Sequence, residues 1–358
     1  MELSLAITGR LLDWYEENKR PLPWREDREP YHIWLSEIMC QQTRVEAVKA
    51  YYRRFLEQLP TIAELARCPE EKLYKLWEGL GYYSRARHLQ QAAVIVCREH
   101  GGSFPTDYDS IRSLPGVGDY TAAAIASICF ELPCPAVDGN VLRVVTRLCG
   151  SGADISKAST KAEVRRALLP LFEGVSSGTL NQALMELGAL VCLPNHEPDC
   201  SNCPLKAFCP SASGLWRNIP FKGEKKARRT ENRTVFLLRC GSDWALRKRP
   251  DSGLLAGLWE FPNTPGRLDA QAALDMAEKW NCRPSSLLRH LEKTHVFTHV
   301  QWEMPAWMIE CQNPAPGFEW VSLADINNRY SLPTAFRQFL EDIERITENH
   351  DEESDTIE

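Results

Sequence analysis

Four cysteines constrain this chain more than any other feature. Cys192, Cys200, Cys203 and Cys209 are separated by seven, two and five residues. Thiolates this close in sequence can surround one centre, because short loops close at little entropic cost. The spacing alone suits either a structural Zn²⁺ or a [4Fe–4S] cluster. Either centre would pin the backbone that follows a helix-like stretch at 181–191.

The other nine of the thirteen cysteines are scattered, mostly beside apolar residues. That pattern reads as small buried thiols in a reducing cytoplasm and not as a disulfide framework. No apolar run is long enough to span a bilayer, and residues 1–15 lack the basic-then-apolar order of a signal peptide. The chain is therefore expected in the cytoplasm, without membrane contact. Its net charge is −6, but residues 341–358 alone contribute −8 and the remaining 340 residues sum to +2. The acidic tail thus masks a core that can bind a polyanion, since a nucleic-acid groove needs local and not total positive charge. A basic run at 222–233 reads either as a solvated linker or as part of such a surface.

At 358 residues the chain is expected to hold two domains. Residues 1–212 show helical spacing of apolar residues at 33–42, 47–58, 86–99, 120–130, 141–148 and 161–168. Pro and Gly punctuate these stretches. Residues 213–230 are polar and basic, a linker. From 231 the texture changes to short strand-like runs at 234–238, 244–247, 294–299 and 307–309, with helices at 270–280 and 334–346. The expected architecture is a multidomain chain: an all-α domain over 1–212, an α+β domain over 231–345, and a disordered acidic tail at 346–358.

Leu114-Pro-Gly-Val-Gly118 joins two helical stretches. Backbone N–H groups of Gly116, Val117 and Gly118 at such a helix start can hold a phosphate, although an ordinary turn would look the same. Asp138 stands just ahead of the helix at 141–148, where it reads as a helix cap or as a reactive carboxylate. Glu37 lies on an apolar helix face with no Lys or Arg four residues away. Burial of that kind raises a carboxyl pKa and makes a proton donor near pH 7.

The order of hairpin, helix, Asp138 and four cysteines resembles the endonuclease III superfamily of helix-hairpin-helix DNA glycosylases. Trp34-Leu-Ser-Glu-Ile-Met-Cys-Gln-Gln-Thr-Arg44, Gly79-Leu-Gly-Tyr-Tyr-Ser-Arg-Ala-Arg87, Val137-Asp-Gly-Asn-Val-Leu-Arg143 and Asn181-Gln-Ala-Leu-Met-Glu-Leu-Gly188 narrow the resemblance to MutY-type adenine DNA glycosylases. It runs over about residues 5–340. It implies base-excision repair: hydrolysis of the N-glycosidic bond of adenine mispaired with 8-oxoguanine or G in duplex DNA. It also implies that Cys192, Cys200, Cys203 and Cys209 hold a [4Fe–4S] cluster, which leaves zinc as the minor reading.

The resemblance assigns Glu37 to protonation of the flipped adenine and Asp138 to stabilisation of the sugar cation, as paired carboxylates do in glycosidases. Tyr120 stands where bifunctional relatives carry a Schiff-base Lys, so a monofunctional enzyme is implied. Asn140 would orient Asp138 or a water. Trp24, Arg25, Gln182 and Met185 match adenine-pocket positions. Gln42, Thr43 and Tyr82 match residues that probe the helix around the opposite base, and Ser84, Arg85 and Arg87 match phosphate contacts.

The second domain resembles a Nudix (MutT-like) fold through Gly253-Leu-Leu-Ala-Gly-Leu-Trp-Glu-Phe-Pro262. The Glu-rich metal helix of active Nudix hydrolases is replaced by Leu268-Asp-Ala-Gln-Ala-Ala273, so binding without hydrolysis is expected. Phe297, Thr298 and His299 match the turn that reads 8-oxoguanine. The chain departs from the family pattern in its seven-residue first cysteine interval, in Cys40, in Asp119 beside the hairpin, and in Thr298, where Ser is commoner. The implied partner is double-stranded DNA, and the implied state is a monomer in the bacterial cytoplasm, at the nucleoid.

Overall fold

The computed structural model describes residues 1–223 and 227–345. The acidic tail at 346–358 and part of the basic run at 222–233 lie outside the described residues. The chain forms two compact units: Met1–Cys68 with Arg87–Lys225, and Pro69–Ala86 with Lys226–Glu358.

The first eleven helices are α1 (Ile7–Asn18), α2 (Pro30–Cys40), α3 (Val45–Gln58), α4 (Ile62–Arg67), α5 (Glu70–Trp77), α6 (Ser84–Glu99), α7 (Tyr108–Ser113), α8 (Asp119–Phe130), α9 (Gly139–Leu148), α10 (Ala158–Leu168) and α11 (Ser177–Leu190). Their starts follow capping chemistry. Thr61 and Glu64 form a reciprocal capping box at α4, Asp138 caps α9 and Ser176 caps α11. Helix α8 buries every residue from Thr121 to Ile128, as a helix apolar all round must. Helix α11 packs against α1, α8 and α9, and Leu11, Val141, Val145, Leu180, Leu184 and Leu187 fill the space between them.

Two placements correct the expected domain limits. Pro69–Ala86, read as part of the first domain, groups with the second unit. Residues 213–223, read as linker, are packed onto the first unit: Ile155 N–H donates to the Phe221 carbonyl (3.0 Å), Phe221 bridges Asp154, and Ile219 is buried. Backbone pairing and one buried isoleucine outweigh the polar composition that suggested a free linker.

The second unit is built on strands β1 (Arg229–Cys240), β2 (Asp243–Lys248), β3 (Trp259–Glu260), β4 (Asn263–Pro265), β5 (Pro284–Val296), β6 (Val300–Cys311) and β7 (Glu319–Ser322), with α12 (Ala270–Lys279), α13 (Leu323–Asn328) and α14 (Thr334–Arg337). The sheet order is β3-β2-β1-β6-β5, with β4 also on β1 and β7 also on β2. Strands β1 and β6 run parallel, with Val235 opposite Ala306 and Leu237 opposite Met308. Alternation along the strands divides the core. Val235 and Leu237 face Trp302, Phe336 and Phe339, whereas Phe236 and Leu238 face Ala273 and Ala277 of α12. The expected strand at 294–299 ends at Val296. Phe297 N–H then donates to the Val300 carbonyl (2.8 Å) and the chain turns into β6.

Candidate active site

One large open cavity in the first unit collects most of the residues singled out above. Glu37 from α2, Tyr120 from α8, Asp138 and Asn140 from the start of α9, and Gln182 and Met185 from α11 all line it. Trp24, Arg25, Gln42, Thr43, Gly116 and Gly118 line it too, while Val117 is buried and does not line it.

Asp138 is fixed at both oxygens. Oδ1 accepts from Val141 N–H at 2.7 Å, the helix-capping bond, and Oδ2 accepts from Asn140 Nδ2 at 2.9 Å. Arg143 then holds Asn140: its guanidinium donates to Asn140 Oδ1 and the Gly188 carbonyl, both at 2.8 Å, and to the Cys192 carbonyl at 2.7 Å. Gly188 permits this approach, because a Cβ there would meet Asn140 Cβ at 2.6 Å. Burial pushes the Asp138 carboxyl up, against the two donors that favour its anion.

Burial also raises Glu37, to about 7; nearby Asp138 adds to the shift, while a hydrogen bond with Tyr120 and the charge of Arg25 oppose it. The Tyr120 hydroxyl donates to the Met185 sulfur at 3.1 Å, and burial beside Glu37 keeps the phenol protonated. A half-neutral acid, a fixed carboxylate and a phenol thus share one solvent-reached wall.

Sequence reasoning missed three supporting residues. Glu186, 1% exposed, lines the same cavity and binds two arginines: Arg20 Nε to Oε1 and Arg25 NH2 to Oε2, both at 2.8 Å. Although burial opposes it, hydrogen bonds from Arg20 and Arg25 hold the Glu186 carboxyl down at about 2. Asn181, fully buried, accepts from Ala136 N–H and donates to Ser127 Oγ and the Cys134 carbonyl, each at 2.8 Å. It thereby fixes the segment at 134–136 that leads to Asp138. Arg143 is the third. Glu186 and Asn181 find their partners more than 40 residues away in sequence, so only the fold reveals them.

The hairpin bends at Gly116, where only glycine fits. Gly116 has φ +77°, and a Cβ there would meet His88 Cβ at 2.7 Å. Asp119 is paired with Arg112 (Nε to Oδ1, 2.5 Å), which offsets the negative charge beside the hairpin turn. Gln42 and Tyr82 both adopt left-handed backbone, φ 57° and 48°, a conformation non-glycine residues seldom take.

The remaining expected contacts do not line this cavity, and all of them but Arg87 lie in the second unit. Thr298 and His299 are exposed in the β5–β6 turn, and Phe297 packs on Trp302 (centroids 4.8 Å apart). Tyr82 and Thr298 share a hydrogen bond of 2.8 Å between hydroxyls. Ser84 is exposed and Arg87 is partly exposed. Arg85 corrects the expectation of a phosphate contact: it is buried, and its NH2 donates to the Leu80 and Gly81 carbonyls at 2.9 and 3.0 Å. A guanidinium committed to backbone braces the loop instead.

The four cysteines Cys192, Cys200, Cys203 and Cys209 line one small cavity walled by Val144, Leu148 and Leu187. The long first interval runs through an exposed loop at 194–197, closed by Asp199 N–H donating to the Val191 carbonyl at 3.0 Å. Arg147 NH1 donates to Cys192 Sγ at 3.3 Å. Among the described residues no three His, Cys, Asp or Glu side chains are grouped to hold a single metal ion. Burial raises Cys200, Cys203 (to about 11) and Cys209, so a cationic centre would be needed to hold them as thiolates.

Comparison with known proteins agrees with this geometry. Residues 35–170 match the family described as HhH-GPD superfamily base excision DNA repair protein, and residues 234–342 match the NUDIX domain. The adenine DNA glycosylase of Homo sapiens is 36% identical, over 93% of this chain and 73% of its own length. The chain belongs to the adenine DNA glycosylase family. It is accordingly a DNA-repair hydrolase acting on N-glycosyl bonds. The adenine DNA glycosylase of Buchnera aphidicola subsp. Baizongia pistaciae is 33% identical, over 86% of this chain and 87% of its own length. A thermostable thymine-DNA glycosylase structure superposes on 58% of this chain and 95% of its own, with TM-score 0.53 and 26% identity. Among the described residues no helix is long and apolar enough to cross a membrane.

Proposed function

We propose that this adenine DNA glycosylase removes adenine mispaired with 8-oxoguanine, or with G, from duplex DNA, and that it does so without a lyase step. The observation that carries the reading is the pairing, on one cavity wall, of Glu37 raised to about 7 with an Asp138 held at both oxygens.

Adenine leaves readily only once a ring nitrogen is protonated. With the base flipped out of the stack, Glu37 gives its proton to N7 as general acid. Departure leaves positive charge on the sugar, and the Asp138 anion stabilises it from a fixed position. Asn140 and Arg143 keep Asp138 aimed. Tyr120 hydrogen-bonds in this wall, and a phenol cannot form the Schiff base that backbone cleavage requires. Trp24, Arg25, Gln182 and Met185 shape the base pocket, with Glu186 holding Arg25. Gln42 and Thr43 enter the duplex from the cavity mouth, and Gly116–Gly118 take a phosphate.

Cys192, Cys200, Cys203 and Cys209 would hold a [4Fe–4S] cluster, which when bound supplies four thiolate–iron bonds that tie the 192–209 loop together. Phe297, Thr298 and His299 read the oxidised base opposite adenine, with Tyr82 beside Thr298. The enzyme works as a cytoplasmic monomer on nucleoid DNA.

The test is adenine release from duplexes carrying A opposite 8-oxoguanine, G, C or T, with borohydride trapping in parallel. Release in the first two, with no covalent adduct, is expected. An adduct, or equal release from all four, would replace this reading.

A further inference from the structure

Glu78 sits at a crossing of contacts inside the second unit that lesion chemistry alone does not explain. Its side chain is 12% exposed. Oε2 pairs with Lys75 Nζ at 2.8 Å and with Arg337 NH1 at 2.9 Å, and Oε1 accepts from Leu332 N–H at 3.1 Å. Lys75 Nζ also donates to the Tyr330 carbonyl at 3.1 Å. One carboxylate therefore joins the end of α5 to the 330–337 segment of the Nudix-like fold.

The next residues form the loop that carries Tyr82. Gly79, Gly81 and Tyr82 all have positive φ (99°, 70° and 48°). The loop is braced from within: Trp77 Nε1 donates to the Gly81 carbonyl at 3.1 Å, Arg85 holds the Leu80 and Gly81 carbonyls, and Tyr74 meets Tyr83 edge-on. A loop this rigid moves as a body with α5. Its position over the β5–β6 turn, where the Tyr82 and Thr298 hydroxyls meet at 2.8 Å, is set by whatever docks α5.

We infer that Glu78 is a positioning residue for lesion recognition: by latching α5 to Arg337 and Leu332 it holds Tyr82 in register with Thr298. The inference rests on the proposed reading of 8-oxoguanine by Thr298. Glu78 touches neither base nor sugar. Its loss lets the Tyr82 loop shift against the turn while leaving the acid and the carboxylate of the other unit in place.

The test is a double-mutant cycle on preference, the ratio of single-turnover rates for A opposite 8-oxoguanine and A opposite G. Glu78→Ala is expected to lower that ratio about threefold to tenfold, the worth of one hydrogen bond, with the rate on A:G unchanged. In a Thr298→Ala background the same change is expected to add nothing, because coupled residues are not additive. A residue that is merely structural would add its effect in full. Arg337→Ala, at the surface end of the pair, carries the same expectation and serves if Glu78→Ala does not fold.

An unchanged ratio, an equal fall on both mispairs, or full additivity would overturn the latch. If Thr298→Ala lowers the ratio and neither Glu78→Ala nor Arg337→Ala does, the latch alone is wrong. If Thr298→Ala leaves the ratio intact, the lesion reading falls and the latch falls with it.

Discussion

Asn140 donates to Asp138 Oδ2 across 2.9 Å, on the oxygen that the capping bond from Val141 leaves open. The same Asn140 accepts from Arg143, which also grips the carbonyl of Cys192. Helix capping and carboxylate aiming are thus one arrangement. A residue can be a sound N-cap and a reactive anion together, so the two readings of Asp138 do not compete.

Asp138→Asn separates the two functions. Asn is as good a cap as Asp, so the melting temperature is expected to hold within a few degrees. Single-turnover adenine release is expected to collapse, since the charge is gone. Loss of both, with the protein unfolded, would assign Asp138 to structure alone.

The sequence made the helices, the hairpin and the burial of Glu37 legible because each leaves a local mark: a 3.6-residue period, a Gly-x-Gly turn, a carboxyl on an apolar face. Arg85 was misread because a surface-like motif does not show where a guanidinium points. The strand limits were short because polar residues in β1, β5 and β6 still pair in the ladder. Glu186 and Asn181 stayed hidden, since their partners stand more than 40 residues away.

The pH dependence follows from Glu37. Its folded pKa of about 7 lies above the ordinary carboxyl value. The neutral form is therefore favoured in the folded state. That contribution is full below the ordinary pKa and is lost as pH rises through about 7. The rate should fall in the same window, because the acid form disappears, approaching tenfold per pH unit above it. Glu37→Gln should flatten the stability profile between mildly acidic and neutral pH. A wild-type rate that climbs steadily to alkaline pH would remove the acid role.

Glu186 has the opposite sign. Its pKa of about 2 is depressed by Arg20 and Arg25. It stabilises the fold above the ordinary carboxyl pKa and ceases to do so as pH falls through about 2. Glu186→Gln leaves two partly buried guanidinium groups without their counter-ion. A loss of about 3–5 kcal/mol is expected in denaturant melts at pH 7. A loss under about 1 kcal/mol would show that the triad is solvent-screened.

Arg147, 3% exposed, donates to Cys192 Sγ, Leu193, Trp216 and Ile219. Arg147→Ala should lower iron bound per chain and stability together, at roughly 1–3 kcal/mol for each buried acceptor left unpaired. Arg147→Lys should recover only part, because an ammonium cannot reproduce the guanidinium fork. Full iron loading in Arg147→Ala would mean that the cysteines hold their centre without it.

Glu37→Gln tests the chemistry most directly. The substitution keeps size and removes the transferable proton. Single-turnover adenine release from a duplex with A opposite 8-oxoguanine, measured beside binding of the same duplex, should fall by at least about 10²–10⁴-fold while affinity is kept. Release within a few fold of wild type, with the duplex still bound, would contradict the assignment of Glu37 as the acid that frees the base.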